Sequence, residues 1–150
     1  MRKGSVVIPC ATIAPDFARE MAAKAEEYGV HYLDAPISGG SIKATAGALS
    51  IMAAGTANAF KAATPALDAT AEKVFELGEV GAGSAMKAVN QLLAGVHIAT
   101  MAEAMTFGMT QGVTPKEFME VIPNCAGSSW MLKKIVDHTS WTAITHRIPQ

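Results

Sequence analysis

SVVIPCATIAPDFAREMAAKAEEYGVHYLD, running from Ser5 to Asp34, is the stretch whose reading decides the fold. Ser5 to Ile8 is a short β-branched run, which predicts a strand. Ala14 to Tyr28 is rich in Ala, Glu, Lys and Met and closes on Gly29, which predicts a helix with a glycine stop. Val30 to Asp34 predicts a second strand. A strand, a helix and a strand in that order form a crossover unit, and such units build parallel or mixed sheets. The rhythm continues downstream. After a glycine-bearing loop, Ala48 to Ala53 reads as a strand, Ala57 to Ala69 as a helix and Lys73 to Leu77 as a last short strand. Residues 1–83 are therefore expected to be α/β.

The character changes after Gly83. Ser84 to Gln111 contains no proline and only two glycines, Gly95 and Gly108, so it predicts one helix of about seven turns. Met86, Val89, Leu93, Val96, Met101, Met105 and Met109 make that helix apolar almost all round, which in a soluble chain requires partners on several sides. A chain this short can hardly surround it, so a homo-oligomer through the long helix is expected. Pro115 to Ile122, with Thr114 as cap, and Ser128 to Val136 predict two further helices. Residues 84–150 thus read as the start of an all-helical domain. A doubly wound sheet normally opens with a strand and a glycine-rich phosphate-binding turn. Here the chain begins in mid-pattern, so the expected fold is α/β: the C-terminal half of a Rossmann-type domain, then a long helix and the start of an all-α domain.

Composition narrows the function. Twelve Lys and Arg against 13 Asp and Glu leave a net charge of -1 over 150 residues, with 50% hydrophobic and 17% charged side chains. That describes a globular chain without the basic footprint that nucleic acid or an anionic membrane would need. Arg2-Lys3 before Val6-Val7-Ile8 has the outline of a secretory leader, but Pro9 and Thr12 interrupt it, and no later run reaches about 18 consecutive apolar residues. A cytoplasmic protein is expected. Cys10 and Cys125 stand far apart with no metal-ligand spacing around them, and they read as ordinary buried cysteines in a reducing compartment. His31, His97, His138 and His146 share no ligand spacing either, so no metal site is expected.

Two segments carry chemistry. In Asp34-Ala35-Pro36-Ile37-Ser38-Gly39-Gly40, a Ser-Gly-Gly turn at a strand's carboxyl end can aim backbone N–H groups and a hydroxyl at one anion, a fitting seat for a carboxylate. An ordinary glycine-rich turn is the plainer alternative, and Asp34 reads as a residue that holds the turn. In Gly78 to Gln91, Gly81-x-Gly83 fails as a dinucleotide fingerprint because the third glycine position is Met86. Lys87 is the notable residue. It sits in the first turn of an apolar helix, with Asn90 and Gln91 on the same side, where the helix macrodipole and the apolar surround both disfavour a charged ammonium and suit the lysine to proton transfer. A surface lysine lying along the helix is the alternative.

These two segments, in this order, resemble the 3-hydroxyacid dehydrogenases, the family of 3-hydroxyisobutyrate dehydrogenase and, more remotely, 6-phosphogluconate dehydrogenase. DAPISGGSIKATAGALSIMAAG is similar to the family's substrate-binding signature and GAGSAMKAVNQ to its catalytic-lysine signature. NQLLAGVHIATMAEAM and NCAGSSWM are most similar to the L-threonate dehydrogenase branch. The resemblance covers about Ser5 to Val136. It implies that Lys87 is the general acid/base at the substrate hydroxyl, that Asn90 and Gln91 place that hydroxyl, that Ser38, Gly39 and Gly40 bind the substrate carboxylate, and that Thr12 touches the nicotinamide half of NAD or NADP. It implies hydride transfer from the hydroxyl carbon of a small hydroxy-carboxylic acid to the nicotinamide. Ile37 stands where the family usually has Val, and Gln91 where Asn is frequent. The resemblance also implies that the phosphate loop lies upstream of Met1 and that a later helical portion follows Gln150, so the chain is expected to be an internal fragment, weak or inactive alone. Trp141 to Gln150 match nothing in the family pattern. A non-catalytic interaction module built from the same fold is the competing expectation.

Overall fold

A computed structural model describes residues 1–138, and the chain forms two compact units, Met1–Asn90 and Gln91–Gln150. In the first unit, β1 (Val6–Val7) leads through α1 (Pro15–Glu27) to β2 (His31–Asp34). β1 and β2 pair in parallel, Val6 with His31 and Val7 with Tyr32. This is the crossover that Ser5–Asp34 predicts. Helix α1 ends where expected: Gly29 adopts φ 65° and its N–H reaches the Glu26 carbonyl at 2.8 Å, a geometry that β-carbon sterics make costly for other residues.

β3 (Ile37–Ser38) and α2 (Gly40–Thr45) follow, then β4 (Leu49–Gly55), α3 (Ala57–Thr70) and β5 (Ala71–Glu76). The sheet is mixed. β2 and β3 both run antiparallel to β4, and β5 runs parallel to it on the other edge. The register is unbroken across the first pairing: Leu33 faces Gly55, Asp34 faces Ala54, Ile37 faces Ile51 and Ser38 faces Ser50, while the Met52 N–H bonds the Pro36 carbonyl at 2.9 Å. The region between β2 and β4, expected as a single glycine-bearing loop, is thus corrected. It contains a strand and a short helix, because Ile37 and Ser38 continue the ladder that Pro36 interrupts without shifting it. One packed cluster holds the unit together: Leu33, Ala35, Leu49, Ile51, Ala53, Ala59, Ala63 and Leu67 are all buried, with Val6, Ile8, Ile37 and Val74 packed around them.

The long helix α4 spans Ala82–Thr110, beginning two residues before its expected start. In the second unit, α5 (Pro115–Val121) opens on the expected cap. The Glu117 N–H donates to Thr114 Oγ1 at 3.2 Å, and the Glu117 carboxylate accepts the Thr114 N–H at 2.8 Å. The Thr114 N–H and then the Thr114 hydroxyl, both donating to that carboxylate, hold the Glu117 carboxyl below its usual pKa. A 3₁₀ turn (Ile122–Asn124) and α6 (Trp130–His138) follow. Phe118, Met119 and Leu132 form this unit's buried cluster, with Met101, Met105 and Ile122 against them. The expectation for Trp141–Gln150 lies outside the described residues.

Two expectations fail on exposure and hydropathy. Cys10 and Cys125 are exposed, not buried. The reading that no segment approaches a membrane span is also corrected, since Ala82–Thr110 is long and apolar enough by length and composition, with a mean hydropathy of 1.3 in its most apolar 18-residue window. A count of consecutive apolar residues is broken by Asn90-Gln91 and His97, whereas an average carries through them.

Candidate active site

The site grows from the seam between residues 34–40 and the first two turns of α4. The segment leaves β2 at Asp34, whose side chain is fully buried. Its Oδ2 accepts the Gly81 N–H at 3.0 Å and the Ser84 N–H at 2.8 Å, while Oδ1 accepts the Ser84 hydroxyl at 2.6 Å. A helix start leaves its first N–H groups without intrahelical partners, and here a carboxylate from 50 residues away supplies one of the acceptors. Asp34 was read as holding the Ser-Gly-Gly turn. It holds the start of α4 instead.

This close approach explains Gly81-x-Gly83. Gly81 has φ 96°, a conformation that L side chains avoid. A β-carbon on Gly83 would collide with the Met52 carbonyl oxygen and lie 2.7 Å from that of Asp34. Gly83 therefore serves close helix-to-strand packing, and Gly81 serves a turn that needs a positive φ.

Lys87 lies one helical turn beyond Ser84. Its Nζ donates to the Ile37 carbonyl oxygen at 2.8 Å, which brings the lysine to the residue preceding Ser38. Burial lowers its pKa. The expected help from the macrodipole is corrected by the earlier helix start: Lys87 becomes the sixth helical residue, and the dipole's influence fades within the first turn. Asn90, half-buried, and Gln91, exposed, follow three and four residues later on the same helix, Asn90 closing the first compact unit and Gln91 opening the second.

Ser38, Gly39 and Gly40 form the bend between β3 and α2. Gly39 has φ 137° and Gly40 φ 67°, so both positions favour glycine. The stem of Lys43 lies over Gly39, where an added β-carbon would meet its Cβ at 2.7 Å. The Lys43 ammonium reaches Glu72 at 2.8 Å and holds that carboxyl below its usual range. Thr12 is exposed in the loop beyond β1, and none of the hydrogen bonds of Lys87 or Asp34 reaches it. That loop is nevertheless tied to the site's seam, because the Ala35 N–H bonds the Pro9 carbonyl at 3.3 Å. Among the described residues no group of His, Cys, Asp or Glu could hold a metal ion.

What the seam offers is a desolvated amine beside a bend rich in backbone N–H groups, at the carboxyl ends of strands where open α/β sheets bind ligands. Residues 1–78 match the family model described as the NAD binding domain of 6-phosphogluconate dehydrogenase, and residues 81–143 match that of the NAD-binding domain of NADP-dependent 3-hydroxyisobutyrate dehydrogenase. The chain belongs to this family of NAD(P)-binding oxidoreductases. The second match includes the whole of α4, which accounts for that apolar helix as part of a dehydrogenase domain.

Among individual proteins, the chain is 46% identical over 139 residues to L-threonate dehydrogenase of Cupriavidus necator, covering 92% of this chain and 47% of that one. It superposes on the crystal structure of 3-hydroxyisobutyrate dehydrogenase from Salmonella typhimurium with a TM-score of 0.86 at 41% identity, covering 92% of this chain and 49% of the other. For Mycobacterium tuberculosis 3-hydroxyisobutyrate dehydrogenase with L-serine the values are 0.77 and 33%, over 92% and 46%. The chain spans about half the length of the curated relatives it matches.

Proposed function

We propose that this chain carries the substrate half of an NAD(P)-dependent dehydrogenase acting on the hydroxyl of a small 3-hydroxy acid of the L-threonate or 3-hydroxyisobutyrate type. The observation that carries the reading is Lys87 Nζ, desolvated and 2.8 Å from the Ile37 carbonyl beside the Ser38-Gly39-Gly40 bend. The names of the relatives support the substrate class.

In this reading the backbone N–H groups of Gly39 and Gly40 and the Ser38 hydroxyl bind the carboxylate. Lys87 leaves Ile37 for the substrate hydroxyl and takes its proton during oxidation. Burial makes the neutral amine accessible at a lower pH than for an ordinary lysine, so oxidation should rise with pH and reach its plateau below the usual lysine range. Asn90 and Gln91 orient the hydroxyl. A nicotinamide cofactor, when bound, supplies the acceptor for the hydride. The exposed Thr12, on the loop tied to Ala35 through Pro9, fits as a hydrogen-bond partner for its nicotinamide half. The exposed apolar side chains of α4 support self-association, and two free, exposed cysteines suit a reducing, cytoplasmic setting.

The test is a chimera in which residues 1–138 replace the matching half of the Cupriavidus relative, with L-threonate and 3-hydroxyisobutyrate as substrates and NAD(P)H absorbance as readout. Lys87→Met should cut kcat by about 10²-fold or more while the substrate KM changes little. An unchanged kcat would remove Lys87 from the reaction.

A further inference from the structure

We propose that Asp34 and Ser84 form a positioning pair for Lys87, fixing how far α4 is rotated about its own axis and so where the amine emerges. This rests on the reading of Lys87 as the proton-transfer group.

Two cross-links join the same two segments in step. Asp34 holds Ser84 and Ile37 holds Lys87, and each link spans 50 positions. The two anchors are three positions apart on both segments. On a helix, residues three apart share a face, so the bond that grips Ser84 and the one that receives Lys87 act on one side of α4. The two backbone N–H bonds and the close approach of Gly83 to the Asp34 and Met52 carbonyls seat the helix start. The additional bond from the Ser84 hydroxyl, 2.6 Å and charge-assisted, ties a side chain and thereby sets the direction in which Lys87 leaves the helix.

The chemistry of the acceptor is selective as well. Three donors converge on Asp34, and a carboxylate can take all three with its two oxygens. An amide of the same shape has one oxygen, and its NH₂ would face a donor. The ionisable groups around the pair are these: residues 34–40 contain only Asp34, residues 82–92 only Lys87, and β4 none, while β2 adds His31 and Tyr32, the loop before α4 adds Glu79, α1 brings the Arg19 guanidinium against Gly81, and α2 brings the Lys43 stem over Gly39. Ser84 therefore reaches Lys87 through geometry, since it carries no charge of its own.

Acylation of each lysine by an amine-reactive anhydride, followed across pH by peptide mass spectrometry on the 150-residue chain, reads the position of Lys87 directly. In the native chain its midpoint should lie below the ordinary lysine value. Ser84→Ala, and Asp34→Asn where it folds, should let the amine swing into water and raise its midpoint toward that value, with about a tenfold loss of reactivity at neutral pH for each unit gained. Ser84→Thr, which keeps the hydroxyl, should restore the native midpoint. A Ser84→Ala chain that melts earlier yet keeps the depressed midpoint would reduce the pair to a helix cap and overturn the proposal. A native Lys87 whose midpoint sits at the ordinary lysine value would overturn both this proposal and the role given to the lysine.

Discussion

The two compact units treat their apolar residues in opposite ways. Met1–Asn90 gathers buried side chains from two strands and a helix into one cluster that begins at Leu33 and ends at Leu67. In Gln91–Gln150 the buried cluster comprises Phe118, Met119 and Leu132, while Leu92, Leu93, Val96 and Phe107 of α4 face solvent at 66%, 53%, 47% and 68% exposure. A sheet brings distant segments together and covers its own face with the crossover helices, so one unit can close a core within 90 residues. Helices in sequence cover one another only when enough of them are present. The apolar content is similar in kind, and what differs is how many neighbours the topology supplies.

That contrast can be broken most sharply at Asp34. Asp34→Ala leaves the Gly81 and Ser84 N–H groups and the Ser84 hydroxyl without their acceptor in a buried site, and it should cost about 4 kcal/mol in urea denaturation of the first unit. Next come the cores. Leu33→Ala should cost about 3 kcal/mol and lower the cooperative transition of Met1–Asn90. Leu132→Ala should abolish whatever separate transition the second unit shows and leave the first unchanged, a difference visible by comparing far-ultraviolet dichroism with hydrogen exchange. One shared transition for both variants would erase the distinction between the units.

Thr114→Ala should cost about 1 kcal/mol, confined to α5, because it removes the Glu117 N–H acceptor. The smallest effect on folding is expected at the exposed Leu92. Leu92→Glu should change monomer stability by no more than about 0.5 kcal/mol but shift sedimentation toward the monomer. An unaltered sedimentation profile would show that this part of α4 is not where copies meet.

Local pattern made much of the fold legible. Gly29, Thr114 and the β-branched run at Val6 mark their elements because each solves a local problem: a positive φ, an open helix start, an extended backbone. The seam was less legible. Nothing local signals that Ile37 and Ser38 continue a ladder across Pro36, since that follows from their pairing with Ile51 and Ser50. The start of α4 at Ala82 was likewise hidden, because its cap is a carboxylate 50 positions earlier. Lys87 could be singled out as a cation on an apolar helix, and of the two causes read there, the macrodipole and the apolar surround, burial is the one that lowers its pKa. Gly83 could have been read as a close helix-to-strand contact once the dinucleotide pattern failed.

The equal spacing of the two cross-links makes length as consequential as residue type. Adding one residue between Asp34 and Ile37 would move Ile37 out of step with Lys87, and adding one between Ser84 and Lys87 would turn the amine by about 100° around the helix. The turn at Gly112 is closed by local backbone hydrogen bonds among residues 108 to 113, without a cross-link of that kind to a distant segment among the described residues. Single-residue insertions should therefore be tolerated there and rejected in the seam, even where every side chain is kept.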